Sequence, residues 1–181
     1  MGGFSGRSVR ARLAVGVVLL GLLWAPGGAL GQSLKDQIVG AWRLVSLYTE
    51  EQGVRTYPYG EKPVGLFVFD RSGSVIQFLA KPQLPKFATP NRLKGTDKEY
   101  RDVMQGILSG FGTYTVDDDT VTIKWEASSY PNRAGTTEKR TYKLVGEELS
   151  AMNPTAASGG ASHAVWARVK QPPTGAGYGI K

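Results

Sequence analysis

Between residues 42 and 169, short runs of β-branched, aromatic and aliphatic residues alternate with turn residues, a pattern typical of an antiparallel barrel or sandwich. The turn at residues 70–73 is the clearest, because Gly73 supplies the positive φ that a tight hairpin requires. The predicted strands are 42–50, 54–57, 65–69, 74–79, 111–116, 120–127, 136–145, 149–153 and 164–169. We therefore predict an all-β fold, a single up-and-down antiparallel barrel of about eight or nine strands, whose closure removes both exposed sheet edges.

One short helix is predicted to interrupt the strands. Thr96 and Glu99 have the spacing of a capping box, in which each side chain bonds to the other residue's backbone N–H. Residues 81–95, just before it, contain three prolines and are predicted to form a loop. We expect the apolar stripe of the helix to be buried, either as a lid on the barrel mouth or against the outer wall. The stripe consists of Tyr100, Val103, Met104, Ile107 and Leu108.

The N-terminus has the residue order of a secretory signal peptide. Three arginines and no acidic residue precede an apolar run over residues 13–24, and small residues follow it. This run has 12 residues, whereas a helix needs roughly 20 to span a bilayer, so the pattern disfavours a permanent anchor. Ala29 and Gly31 are small residues at the positions that a signal peptidase reads. Cleavage is therefore predicted after Gly31, and the mature chain should begin at Gln32.

These features predict a periplasmic or secreted protein with a signal peptide over residues 1–31, one barrel domain over 32–169 and a flexible tail over 170–181. Because the chain has no cysteine, it cannot form a disulfide or carry a lipid on an N-terminal cysteine. Removing the three N-terminal arginines from 22 basic residues leaves 19 against 15 acidic ones, which lowers the net charge from +7 to +4. The remaining basic residues are scattered, so we expect no nucleic-acid partner. We also expect no stable membrane insertion after cleavage.

The sequence offers few residues for metal or cofactor chemistry. His163 is the single histidine and there is no cysteine, so the usual ligands of transition metals are scarce. Three aspartates at 117–119 fall at a predicted hairpin tip, where they are solvated and need no cation. We therefore predict no metal and no cofactor, and no local motif assigns a catalytic residue.

Aromatic residues on or beside the predicted strands indicate a cavity that is apolar with a few polar points, because a buried tyrosine needs a hydrogen-bond partner. If Trp42 points into the barrel, strand parity places Ser46 and Tyr48 on the same face and Leu47 outside. Arg140 fits either the interior or a solvated outer face. The candidate ligand-binding residues are Tyr48, Gln77, Tyr114, Trp125, Arg140 and His163.

The ends of the predicted barrel carry a recognisable pair of residues. Gly40-Ala41-Trp42 resembles the Gly-x-Trp opening of the lipocalins, and Arg168 on the final strand stands where those families keep an arginine. The resemblance implies that the arginine packs across the tryptophan at the closed end of the barrel, where an indole face attracts a guanidinium. It implies a structural role for Gly40, Trp42 and Arg168.

A closer resemblance is to the lipocalin-like domain family of bacteria and fungi, which has a calycin-type barrel. Similar blocks occur in the same order along nearly the whole mature chain. One departure is Arg133, where the family pattern leads us to expect an aromatic residue after Pro-Asn. The resemblance implies a barrel with a cavity and carries over no catalytic set. The blocks are 38–46, 57–60, 63–66, 111–114, 130–132 with Gly135, and 165–168.

Together these features favour a binding protein over an enzyme. We expect an exported barrel that holds a small, largely apolar molecule, because a barrel of about eight strands has room for one small ligand. The first alternative is an enzyme that isomerises or cyclises a hydrophobic metabolite, with a tyrosine or His163 as acid or base. The second is a ligand-free interaction module, which an interior without a cavity of about 300 Å³ would favour. The ligand and the oligomeric state are left open.

Overall fold

The computed structural model describes residues 1–3 and 33–170. The predicted signal peptide lies outside the described residues apart from its first three, and the predicted tail lies outside them apart from Lys170. Within residues 33–170 the helices are α1 (Leu34–Gln37) and α2 (Asp97–Gly106), with a 3-10 turn at Pro131–Arg133. The strands are β1 (Gly40–Glu51), β2 (Val54–Thr56), β3 (Val64–Phe69), β4 (Ser74–Ala80), β5 (Ile107–Asp117), β6 (Thr120–Ser128), β7 (Thr137–Val145), β8 (Glu148–Asn153) and β9 (Ala161–Arg168).

Eight of these strands close into an antiparallel barrel. Each strand from β3 to β9 pairs with the next along the chain, and β1 closes the ring by pairing with both β3 and β9. The remaining strand, β2, pairs only with the end of β1, where Glu51 lies opposite Val54. The predicted all-β, up-and-down barrel is therefore confirmed. The turn at residues 70–73 joins β3 to β4 as predicted, with Gly73 at a φ of +90°.

A β-bulge in β1 changes which side chains point into the barrel. The pairing of β1 with β9 slips by one residue between Leu44 and Ser46, because one extra residue on β1 faces no partner. Trp42 and Leu44 are buried inside, and beyond the bulge Leu47 is buried while Tyr48 is only partly covered. The prediction that Ser46 and Tyr48 share the face of Trp42, with Leu47 outside, is therefore wrong.

The end of the barrel near α1 is closed and solidly packed. Trp42 Nε1 donates to the carbonyl of Ile38 at 2.7 Å, and the Arg168 guanidinium carbon lies 4.2 Å from the Trp42 ring centroid. Arg168 also donates to the carbonyls of Gln37 at 2.6 Å and Val39 at 3.2 Å. These bonds satisfy two carbonyl groups of the entry segment and tie it to the last strand. The aromatic side chains buried in the core are Trp42, Tyr59, Phe67, Phe69, Trp125, Tyr142 and Trp166.

Gly40, the first residue of β1, occupies a position that other residues rarely adopt. Its φ is +131°, which glycine tolerates because it has no side chain. A Cβ at this position would lie 3.4 Å from Arg168 Nη1, in contact with the guanidinium that covers Trp42. The chain can therefore enter the barrel directly beneath Arg168.

Helix α2 is shorter and less buried than the sequence suggests. The capping box is present, with Glu99 N donating to the Thr96 hydroxyl at 3.3 Å and Thr96 N donating to the Glu99 carboxylate at 2.7 Å. The helix ends at Gly106, so Ile107 and Leu108 begin β5 and do not extend the stripe. The Tyr100 ring packs edge-on against the ring of Phe87 in the proline-rich loop, with the ring centroids 5.5 Å apart.

The expected burial of the α2 stripe is only partly realised. Tyr100 and Met104 stay 39% and 47% exposed, and Gly106 is the helix residue that is buried. A second helix, α1, was not predicted; Ser33 caps this single turn by accepting from the backbone N–H of Asp36 at 3.4 Å. Among the described residues, no helix has the length and apolar character needed to cross a bilayer.

Candidate functional site

A cavity lies inside the barrel at the end opposite α1, where β8 ends and β9 begins. The inner faces of β1, β4, β5, β7, β8 and β9 form its walls, and residues 156–158 of the β8–β9 loop lie at its mouth. Aliphatic and aromatic side chains alternate with polar ones around it. The lining side chains from the walls and from the loops are Leu47, Tyr59, Gln77, Leu79, Leu108, Arg133, Glu138, Arg140, Ala151, Asn153, Ser162, Ala164 and Trp166.

The cavity is small in this conformation. Its enclosed volume, counted as the space open to the centre of a water molecule, is about 40 Å³. The empty space that includes the opening to solvent is about 520 Å³. Since one water occupies about 10–15 Å³ on the first of these measures, the enclosed part holds roughly three waters. Ligand pockets usually measure about 300–1,000 Å³. The enclosed part is therefore below the lower end of this range, and a ligand of drug-like size requires the mouth to open.

A buried ion-pair network is the main polar feature of the cavity. Arg133 Nε donates to Glu138 Oε1 at 2.8 Å, and Arg140 Nη2 donates to Glu138 Oε2 at 2.6 Å. Arg133 Nη2 donates to the Gln77 side-chain oxygen at 2.7 Å, which ties the network to β4 across the barrel. Asn153 donates to Glu138 Oε2 at 3.4 Å. One carboxylate thus accepts hydrogen bonds from two guanidinium groups and one amide.

The local backbone explains why these side chains converge. Glu138 and Arg140 are two residues apart on β7, so strand alternation places both on its inner face. Arg133 ends the 3-10 turn between β6 and β7, and its guanidinium carbon lies 3.5 Å from the Trp125 ring centroid. An indole face under a guanidinium is a stabilising arrangement that also restricts the arginine to one plane. The Trp125 ring therefore supports the Arg133 guanidinium from one face.

The network is charged at neutral pH. Burial alone would raise the pKa of Glu138, but the guanidinium groups of Arg140 and Arg133 outweigh burial and hold it below its ordinary value of 4.5. Burial also lowers the pKa of Arg133, and the like charge of Arg140 lowers it further. Because the ordinary pKa of an arginine lies far above neutral pH, Arg133 stays protonated. Burial would lower the pKa of Arg140, yet Tyr142 and Glu138 raise it.

The structure brings together three of the six sequence-predicted ligand residues. Gln77, Trp125 and Arg140 all lie inside the barrel, where Gln77 and Arg140 line the cavity and Trp125 supports Arg133. Arg140 is 8% exposed, so the interior placement holds and the solvated one does not. Tyr114 lies near the closed end instead, where its hydroxyl donates to the carbonyl of Asp70 at 3.0 Å.

Tyr48 and His163 lie on the outer face of the barrel, not in the cavity. They are paired across β1 and β9, and their rings stack at 4.9 Å. The expectation that they line the interior is wrong, because the bulge after Leu44 turns Tyr48 outward and His163 faces it. His163 therefore cannot serve as the acid or base of a reaction inside this cavity.

Sequence reasoning missed Arg133, Glu138 and Asn153 as cavity residues. Parity could have found Glu138, because it shares a strand face with the candidate Arg140. Arg133 gave no such signal, since it lies on a turn between strands and stood out only as a departure from the family pattern. In the part of the chain that the structure describes, no cluster of three His, Cys, Asp or Glu side chains is placed to hold a metal.

Comparison with known proteins agrees with the barrel. The profile of one protein family, described as a lipocalin-like domain, matches residues 39–169. The chain is also similar to the 4'-hydroxy-3'-methoxypropiophenone carrier protein of Aspergillus oryzae, with 35% identity over 89 residues. This alignment covers 44% of the present chain and 80% of the carrier protein.

Proposed function

Because the chain belongs to the lipocalin-like domain family, we propose that it binds a small molecule at the open end of its barrel. The observation that carries the proposal is the cavity itself, where the inner faces of six strands surround a buried Arg133–Glu138–Arg140 network. Polar groups placed among apolar side chains at a barrel mouth are typical of ligand sites. The name of the Aspergillus relative, a carrier protein, supports the same function.

The lining favours a ligand that is largely apolar with a polar group. Leu47, Leu79, Leu108 and Trp166 offer apolar contact, while the ion-pair network offers hydrogen bonds on one side. The cargo named for the Aspergillus relative is an aryl ketone, a molecule of this general kind. We therefore propose a small aromatic or otherwise apolar molecule that enters when the segment 156–158 moves away from the mouth.

Filling the cavity should weaken binding. Ala164 lies on the inner face of β9 and lines the cavity, and Ala167 lies on the outer face of the same strand. We expect Ala164→Leu to weaken binding of 4'-hydroxy-3'-methoxypropiophenone and of the neutral dye Nile red by about tenfold or more, because the added atoms occupy the little space available. Fluorescence titration measures both affinities.

The matched control is Ala167→Leu, which makes the same substitution on the half-buried outer face of β9. It should leave both affinities within about twofold of wild type. Circular dichroism and thermal melts establish that each variant is folded, since overpacking a core costs about 1–3 kcal/mol. If the wild-type protein binds neither compound, and protein purified from its own host carries no small molecule in native mass spectrometry, the proposal fails.

The narrow interior favours a second candidate, an interaction module whose barrel is filled. In that case function lies on the outer surface, where Ile76, Phe78 and Phe111 form neighbouring exposed apolar positions on β4 and β5. The titrations above separate the two candidates, because a filled barrel takes up neither compound.

We also propose export, which rests on the N-terminal sequence. Expression of the full chain in a bacterial host should yield a protein in the periplasm or medium whose first residue is Gln32, read by N-terminal sequencing or intact mass. Replacing Ala29 with arginine should block cleavage, because the peptidase site accepts small residues there. Cytoplasmic protein that retains residues 1–31 would contradict the proposal.

A further inference from the structure

Arg133 has a hydrogen-bond donor that the protein does not use. Its Nε and Nη2 bond to Glu138 and Gln77, but Nη1 is buried and has no partner among the described residues. Arg133 as a whole is 4% exposed and lines the cavity. A buried charged donor without an acceptor is costly, so an unpaired one in a cavity indicates a missing partner.

The net charge of the cavity also indicates that a partner of Arg133 is missing. Its lining contains two guanidinium groups and one carboxylate, and no other lining residue is ionised, so its formal charge is +1. Glu138 is shared by both arginines and cannot neutralise them fully. A net charge in a low-dielectric interior is unfavourable until an opposite charge joins it. The partner that completes this network therefore carries one negative charge.

The guanidinium is already held in place for such a partner. Trp125 fixes its plane from one face at 3.5 Å, and Gln77 and Glu138 fix its rotation within that plane. A donor with a fixed direction binds an acceptor oxygen without further ordering of the protein. A carboxylate is planar and singly charged, which matches the unpaired nitrogen Nη1 of Arg133 and a formal charge of +1. A phosphate carries about −1.5 to −2, which exceeds the formal charge of +1.

We infer that the molecule bound in the barrel is an organic monocarboxylate whose carboxylate accepts a hydrogen bond from Arg133 Nη1. This inference rests on the proposed binding function and specifies the chemical class of the ligand. The apolar part of the acid would then extend over Leu47, Leu108 and Trp166. Arg140 stays bonded to Glu138 and holds that carboxylate away from the incoming one.

The test compares an acid with its neutral ester. Trans-cinnamate and methyl trans-cinnamate have the same ring and differ in the charge of the carboxyl group. Calorimetric titration at about pH 7 should give wild-type protein a preference for cinnamate of about tenfold or more. Arg133→Met should bring the two affinities within about twofold while binding of the ester persists. Arg55→Met, on the surface beside Tyr48, is the matched control and should leave the preference unchanged.

Each result decides the question. If the ester and Nile red bind but cinnamate binds no better than the ester, the acid-binding inference is overturned and the proposed function stands. If none of the three binds, the acid-binding inference is overturned, and the proposed function is overturned with it when 4'-hydroxy-3'-methoxypropiophenone also does not bind and host-purified protein carries no small molecule. Should Arg133→Met fail to fold, nitrogen-15 NMR of the wild-type arginine side chains takes its place. Cinnamate and not the ester should then shift the Arg133 resonances, and bound cinnamate that leaves them unmoved overturns the inference.

Discussion

Replacing Trp42 with alanine is expected to lower the free energy of unfolding by about 3–5 kcal/mol, the range measured for large aromatic residues removed from cores. Trp42 is fully buried, its indole N–H bonds to the carbonyl of Ile38, and Arg168 covers its face. The substitution leaves a cavity, an unpaired carbonyl and a guanidinium without its aromatic surface. Chemical denaturation followed by circular dichroism measures the loss.

The control for this effect is Val45→Ala, also on β1. Val45 is 54% exposed at the bulge, so its truncation should change the unfolding free energy by no more than about 0.5 kcal/mol. A loss below about 1 kcal/mol for Trp42→Ala would mean that the closed end of the barrel adds little to stability. In that case the pair formed with Arg168 is not what holds the barrel together.

The barrel itself could be predicted because its signals are local. The glycine turn at residues 70–73 and the alternation on either side of it specify a hairpin whatever the rest of the chain does. Repeated hairpins then leave closure as the simplest way to remove the sheet edges. The pairing of β1 with β9 follows from this logic and joins residues more than 100 positions apart, such as Trp42 and Arg168.

The direction of side chains beyond Leu44 could not be predicted. A single unpaired residue at the bulge inverts the alternation, and nothing in the run Leu44-Val45-Ser46 marks where the extra residue falls. The error moved Tyr48 into the predicted cavity. The alternation of inward and outward side chains predicts their direction only up to the first β-bulge in a strand.

The residues of the candidate site that lie on strands could be predicted, whereas Arg133, which lies on a turn, could not. Gln77 and Arg140 are polar residues within β patterns, and that anomaly is visible in the sequence. Arg133 reaches the same cavity from a turn, through stacking on Trp125, and turn residues have no alternation to read. Its position depends on a contact between β6 and the β6–β7 connection that only the folded chain reveals.

Replacing Glu138 with glutamine is expected to destabilise the fold by about 3–5 kcal/mol, the usual cost of removing one partner from a buried ion pair. Its carboxylate is the shared acceptor of Arg133 and Arg140, whose side chains are 3% and 9% exposed. Glutamine keeps the size but leaves two positive charges facing each other. Chemical denaturation at about pH 7 measures the change in unfolding free energy.

The surface pair formed by Glu50 and Arg55 provides the matched control. Arg55 Nε lies 2.8 Å from Glu50 Oε2, a distance similar to those in the buried network. The side chains of Glu50 and Arg55 are, however, 35% and 57% exposed. Glu50→Gln should therefore cost less than about 1 kcal/mol, because water screens an exposed ion pair. Equal losses for the two substitutions would mean that burial adds nothing to the Arg133–Glu138–Arg140 network.

The effect of Glu138→Gln should also depend on pH, in a direction set by the lowered pKa of Glu138. In the folded protein this pKa lies below the ordinary value of 4.5, so near that pH the unfolded chain binds more protons than the folded one. The stability that Glu138 contributes is then fully present above that pH, and it is lost as the pH falls through the folded pKa. The gap in unfolding free energy between wild type and Glu138→Gln should narrow between about pH 5 and about pH 3. A gap that stays constant over this range would show that Glu138 stabilises the barrel through its shape and not through its charge.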